Sequence, residues 1–261
     1  MKLKDQVAIV TGGGIGIGKA ISLAFAREGA AVVLASRTKE ALEEVAGQIR
    51  ASGGTALPIP TDISQERQVI AMVEQVQREL GKIDILVNNS GIPGATAPVV
   101  EVDLADWSQV LAVNLTGAML CSREVLKRSM VPRKTGNIIN IAAASGRQGV
   151  AFRSPYCVSK WGLLGLTYTL ALEAGRYNIR VNGICPGAVE GDRFSRVVRA
   201  RAKALGVSDE ECRRQIMQHS PMGRAATPEE MAAMTVFLAS EDSSGVTGQV
   251  IYATVPSALT R

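Results

Sequence analysis

Val7-Ala-Ile-Val-Thr11-Gly-Gly-Gly-Ile-Gly-Ile-Gly18 opens as a short apolar run, passes through clustered glycines and enters a helical pattern. Val7–Thr11 reads as a strand. Gly16–Arg27 reads as a helix, with Ile17, Ala20, Ile21, Ala24 and Phe25 on one face. Glycines at such a turn let the backbone come close to a phosphate. The helix start then offers free N–H groups and a partial positive charge. Placed after an N-terminal strand, the turn is a dinucleotide-binding candidate; a glycine-rich helix start with no ligand is the alternative.

Outward from this stretch, strands and helices alternate. Ala31–Ala35, Ala56–Pro60 and Ile83–Asn88 read as strands, and Lys39–Ala51 and Glu66–Leu80 as helices. A longer helical stretch covers Leu104–Ser129, broken near Asn114. Asn137–Ala142 and Arg180–Cys185 are further strands, and Tyr156–Tyr177 is a long helix. Pro228–Ala239 is a late helix capped by Thr227, and Gln249–Ala253 is the last strand. Nearly continuous apolar strands in repeated βαβ units predict an α/β fold, a doubly wound, Rossmann-like parallel sheet of seven strands. No composition shift divides the chain, so residues 1–261 read as one domain. Residues 188–227 lack a sheet strand and are too long for an ordinary connection; they read as a partly helical insertion or substrate lid.

Composition narrows the chemistry. Hydrophobic residues make up 46% and charged residues 20% of the 261 residues, which excludes disorder, collagen and coiled coil. There is one histidine, His219, so a His-rich zinc site cannot be built within the chain. Cys121, Cys157, Cys185 and Cys212 are widely spaced without a Cys-x-x-Cys pair, and no metal is expected. The formal net charge is +5. Lys and Arg are interspersed with acids, without a basic-aromatic motif, so nucleic acid is not the expected partner. No signal-peptide core and no membrane-spanning apolar run are seen, which points to the cytoplasm.

Two further motifs carry chemistry. A carboxylate after the second strand would select NAD by binding the ribose 2′-hydroxyl. Ser36-Arg37 stands there instead, and a guanidinium beside a hydroxyl suits a 2′-phosphate. NADP(H) is therefore preferred, with NAD(H) the alternative. Asp62 could hydrogen-bond the adenine or be a plain loop aspartate. Tyr156-Cys-Val-Ser-Lys160 puts a phenol and an amine at i and i+4 on one helical face. A nearby ammonium favours a phenolate, so Tyr156 is a candidate proton donor and acceptor.

Taken together, these residues resemble the short-chain dehydrogenase/reductase superfamily. The set comprises the Thr11–Gly18 turn, Asn88-Asn-Ser-Gly91, Asn114, Tyr156, Lys160 and Pro186-Gly187, in family order along essentially the whole chain. The resemblance implies hydride transfer between a nicotinamide cofactor and a small alcohol or carbonyl substrate, in a dimer or tetramer. By the same resemblance Tyr156 is the general acid/base. Lys160 binds the nicotinamide ribose and lowers the Tyr156 pKa, and Asn114 holds a water in the proton relay. Gly12, Gly14, Ile15, Gly16, Ile17, Gly18, Ile63 and Ile141 fall at cofactor positions. Asn89, Ser90 and Gly91 line the cofactor cleft, while Pro186, Gly187 and Val189 cover the nicotinamide.

The sequence departs from the family where a serine is expected, 13 residues before Tyr156. Ile141-Ala-Ala-Ala-Ser145 places Ala143 there. Three readings stay open: Ser145 substitutes; the chain is a disabled or engineered variant; or it is a natural member that works without the serine or only binds cofactor. An epimerase using the cofactor transiently is a further alternative. Ala253-Thr-Val-Pro256 replaces the Asp-Gly-Gly of many members. Arg153 and Arg147 lie near the expected rim, and Arg193, Arg196, Arg199, Arg213 and Arg214 fall in the insertion. A clamp on an anionic substrate, headed by Arg153, competes with a merely solvated charged helix. His219 reads as a lid or surface residue and Trp161 as a core or helix-packing residue. Cys157 points about 100° from Tyr156 around the helix.

Overall fold

The computed structural model describes residues 1–218 and 220–253. His219 and the Thr254–Pro256 part of the altered C-terminal motif lie outside the described residues. Strands β1 (Val7–Thr11), β2 (Ala31–Ser36), β3 (Ala56–Pro60), β4 (Ile85–Asn88), β5 (Gly136–Ile141), β6 (Ile179–Pro186) and β7 (Val250–Ala253) form one parallel sheet, in the order β3-β2-β1-β4-β5-β6-β7. The order reverses between β1 and β4. Connections on either side of that point leave towards opposite faces and open a crevice at the carboxyl ends of the strands.

Period-two alternation sends β1 side chains to two cores. Ala8 and Val10 join Ile21 and Phe25 of α1 (Gly16–Arg27) and Met231 and Val236 of α10 (Pro228–Ala239). Val7 and Ile9 join Val69, Met72, Val73 and Val76 of α3 (Glu66–Leu80) on the other face. Helix α2 (Lys39–Ala51) has the bounds its periodicity predicts. A reciprocal capping box between Thr227 and Glu230 fixes the start of α10.

The helical stretch after β4 differs from its simple reading. It runs as α4 (Leu104–Leu111), a π turn (Ala112–Thr116), α5 (Gly117–Val125), a second π turn (Leu126–Met130) and α6 (Val131–Arg133). The break expected near Asn114 is thus a π turn, and the helix continues past Ser129. Helix α7 (Ser154–Ala174) starts two residues before Tyr156 and ends in a 3-10 turn, Gly175–Tyr177. Trp161 is 53% exposed, so of its two expected placements, core or helix packing, the core of this chain is excluded. It shares an outward apolar stripe of α7 with Val158, Tyr168 and Leu172.

Within residues 188–227, α8 (Asp192–Leu205) and α9 (Asp209–Gln218) pack around Phe194, Val198, Ala202, Cys212 and Ala225. A lone parallel bridge, Val189 to Ala226, joins the ends of this insertion beside β6. Among the described residues no helix is long and apolar enough to cross a membrane.

Candidate active site

The expected cofactor-binding residues line one cleft of about 1020 Å³ at the carboxyl ends of the strands, together with Ala143, Ser145, Arg153, Tyr156 and Lys160; Asn114, Arg147, Arg199, Arg213 and Arg214 do not. The glycine turn forms its floor. Gly12 (φ +66°) and Gly16 (φ +52°) occupy the left-handed region that side chains resist. A Cβ on Gly18 would lie 2.0 Å from the Gly12 carbonyl oxygen, so only glycine lets the turn fold onto α1. Asn89 Nδ2 donates to the Thr11 carbonyl at 2.9 Å, and Thr11 Oγ1 accepts from Asn89 and Ser90 N–H at 3.0 Å. These bonds clip the loop after β4 to the turn after β1.

Helix α1 has no side-chain cap and no acid in its first turn. Its first N–H groups have no intrahelical acceptor and are available to an anion. Ser36 and the exposed Arg37 follow β2 at one end of the cleft; Tyr156 and Lys160 lie along its wall. This donor set fits an extended dinucleotide diphosphate. Asp62 accepts Ser64 N–H at 3.0 Å and Ser64 Oγ–H at 2.7 Å through Oδ1, which fixes its loop.

Lys160 is fully desolvated, and its Nζ donates to the Ile141 carbonyl at 2.8 Å. Burial pushes the amine down from 10.5 to about 7, and the Arg193 charge pushes the same way. Unfolded, the amine keeps its proton to about 10.5; folded, it sheds it above about 7. In that window the unfolded chain binds more protons, so Lys160 makes folding stability rise with pH. Urea unfolding of wild type and Lys160→Met should therefore give a stability difference that climbs in favour of wild type across the window. A flat or falling difference would contradict the burial.

Asn114 is 1% exposed and sits one layer behind the cleft. Its Oδ1 accepts Ile92 N–H at 2.7 Å, and its Nδ2 donates to the Ile92 carbonyl and to Ser159 Oγ, both at 3.0 Å. Ser159 Oγ in turn donates to the Tyr156 carbonyl at 2.7 Å. Both amide protons are spent on the protein, so what Asn114 retains for a water is acceptor capacity. Ser159, absent from the sequence-based candidates, ties the π turn to the tyrosine's own helix. Its position one residue before Lys160 was the available signal.

Ala143 is 9% exposed, extended, and offers only a methyl group to the cleft wall. Ser145 lines the same wall from the 3-10 turn Ala144–Gly146. Arg153 places its guanidinium 4.7 Å from the Tyr156 ring centroid, and Arg193 stands 5.7 Å from it. Arg193 also donates to the Gly91 carbonyl at 3.1 Å, linking the insertion to the cofactor side. Arg147 instead stacks on Tyr252 at 5.1 Å. Arg199, Arg213 and Arg214 pair with Asp209, Glu190 and Glu211. Arg201, not among the sequence candidates, lines the cleft with Arg193 and Arg196. Its spacing of eight residues from Arg193 puts both on one face of α8.

Residues 13–254 match the family model described as Enoyl-(Acyl carrier protein) reductase. The chain is 36% identical over 96% of its length, and 97% of the relative's, to 3-oxoacyl-(acyl-carrier-protein) reductase FabG of Thermotoga maritima. It is similar to NAD+-bound xylitol dehydrogenase, at TM-score 0.94 and 35% identity over 98% of this chain and all of that one. It is also similar to an actinorhodin polyketide ketoreductase variant with NADPH, at TM-score 0.91 and 35% identity over 96% of each chain.

Proposed function

Because the chain belongs to the short-chain dehydrogenase/reductase superfamily, a family of NAD(P)-dependent alcohol and carbonyl oxidoreductases, we propose that it is an NADP(H)-preferring carbonyl reductase or alcohol dehydrogenase slowed by Ala143. The observation that carries this is the convergence of Tyr156, Lys160 and the uncapped glycine turn on one cleft. The N–H groups at the start of α1 would hold the cofactor diphosphate, and Ser36 and Arg37 its 2′-phosphate. Lys160, with Nζ near the Gly91 backbone, would hold the nicotinamide ribose. The bound reduced cofactor supplies hydride to a carbonyl carbon.

Tyr156 gives its phenolic proton to the carbonyl oxygen. The Arg153 and Arg193 guanidiniums over the ring offset the negative charge that the departing proton leaves on the oxygen. The Asn114–Ser159–Tyr156 backbone chain fixes where the tyrosine stands. Opposite it, Ala143 gives the substrate oxygen no donor, and Ser145 is the nearby hydroxyl that could take over part of that task. The same missing donor also suits a second reading, a protein that binds cofactor with little turnover.

Turnover of NADPH with a broad carbonyl panel tests the first reading. NADPH binding by fluorescence, with no turnover even after Ala143→Ser, would favour the second. Arg37→Asp should weaken NADPH binding by about 10–10²-fold, since one charge-assisted contact is lost and a repulsive charge added. NADH binding should improve or hold. Equal weakening of both cofactors would contradict the role given to Arg37.

A further inference from the structure

Arg153 is a buried cation with an unanswered donor. It is 9% exposed, its Nε has no hydrogen-bond partner, and its Nη2 reaches only the Pro93 carbonyl, at 3.5 Å. The charged and titratable groups that act on it are Tyr156, Cys157, Arg193 and Arg201; no carboxylate is among them. At this end of the cleft, Glu190 is committed to Arg213, and Asp192 is exposed at the start of α8. Arg193 and Arg201 therefore add to the positive field on Arg153.

An arginine free to reach water would avoid this cost, because desolvating an unpaired charge is expensive. Here the backbone holds it in place. Phe152, immediately before it, sits at φ +66°, a region that a bulky side chain avoids. Such strain is kept where the surroundings impose it, and it clusters at ligand clamps. Stacking on the Tyr156 ring accounts for the guanidinium face. It does not account for the in-plane N–H groups: Nε is enclosed without a partner, and the guanidinium edge that lines the cleft is left for an acceptor.

We propose that the substrate is a short oxo acid, or the matching hydroxy acid, whose carboxylate seats on Arg153 with Arg193 and Arg201 as outer cations. The planar guanidinium edge matches the two oxygens of a carboxylate. Its closeness to the Tyr156 ring puts the carboxylate within a few bonds of the reacting carbon. The carboxylate takes no part in the bond changes. In reduction the carbonyl carbon gains hydride and the oxygen gains the Tyr156 proton. The cofactor is oxidised, and solvent reprotonates the tyrosine.

The inference rests on the oxidoreductase reading, and two measurements separate them. The first is NADPH-dependent turnover of pyruvate and acetoacetate, each against its methyl ester, with dihydroxyacetone phosphate as the phosphate-bearing comparison. Wild type should prefer acid to ester by at least about tenfold in kcat/KM. Arg153→Met should collapse that ratio mainly through the KM of the acid, and Arg193→Ala should lower it less. The second is binding of oxamate, which is not reduced, by calorimetry to the NADPH-loaded protein. Oxamate should bind wild type at least about tenfold more tightly than Arg153→Met.

The apo melting temperature of Arg153→Met should hold or rise, because an unpaired buried charge is removed; a merely structural arginine would lower it. Esters reduced as well as acids, with no Arg153-dependent oxamate binding, would overturn the carboxylate site. Preference for the phosphate ester would overturn the carboxylate assignment. Arg153-dependent oxamate binding without turnover of any carbonyl would uphold the anion site and overturn the oxidoreductase reading instead.

Discussion

Tyr156→Phe lowers kcat by about 10²–10⁴-fold, the usual worth of a positioned proton donor, and leaves NADPH affinity within a few-fold of wild type. The variant removes one oxygen and keeps the ring on which Arg153 and Arg193 stack. The Tyr156 carbonyl still accepts from Ser159, so α7 keeps its place. The loss should therefore appear in the chemical step. Single-turnover reduction of a carbonyl, alongside a fluorescence titration with NADPH, separates the two. A variant within tenfold of wild type in kcat would mean that the proton comes from another group.

Ala143→Ser raises kcat by about 10²–10³-fold, the reverse of deleting one preorganised donor at a developing oxyanion. Position 143 is extended backbone (φ −168°), which serine adopts without strain, and it already lines the cleft. The added hydroxyl should act in the transition state and leave KM nearly unchanged. Ser145→Ala shows whether Ser145 serves in its place. A loss in the native background that disappears in the Ala143→Ser background would show that the two hydroxyls do the same task.

The βαβ frame is legible in the sequence because two signals coincide there. Apolar runs such as Ala31–Ala35 are buried on both faces, and glycines punctuate them where the chain must turn. Helices α2 and α3 match their periodicity because amphipathic stripes are written in side chains, and α10 starts where Thr227 and Pro228 signal it. The π turn at Ala112–Thr116 is not, since an extra residue per turn changes backbone pairing without changing the apolar pattern. Trp161 follows a buried lysine and is itself exposed. One residue along a helix is about 100° around it, and that rotation carries the indole outward. In the site, helical spacing pairs Tyr156 with Lys160, and the family resemblance is what assigns them roles and marks Ala143 as standing where a serine is expected. The stacking of Arg153 could not be read, because it depends on a left-handed Phe152 and on an insertion that brings Arg193 and Arg201 over the same ring.

Tyr156 moves the proton in the proposed reaction, in a site limited by the missing hydroxyl at 143. Steady-state NADPH oxidation by wild type, Ala143→Ser, Tyr156→Phe and the double variant, on one accepted carbonyl, tests it most directly. Ala143→Ser should be faster than wild type by about 10²–10³-fold, and Tyr156→Phe should abolish that gain in the double variant. An Ala143→Ser rate no higher than wild type, or a gain that survives in the double variant, would contradict this reading of the site.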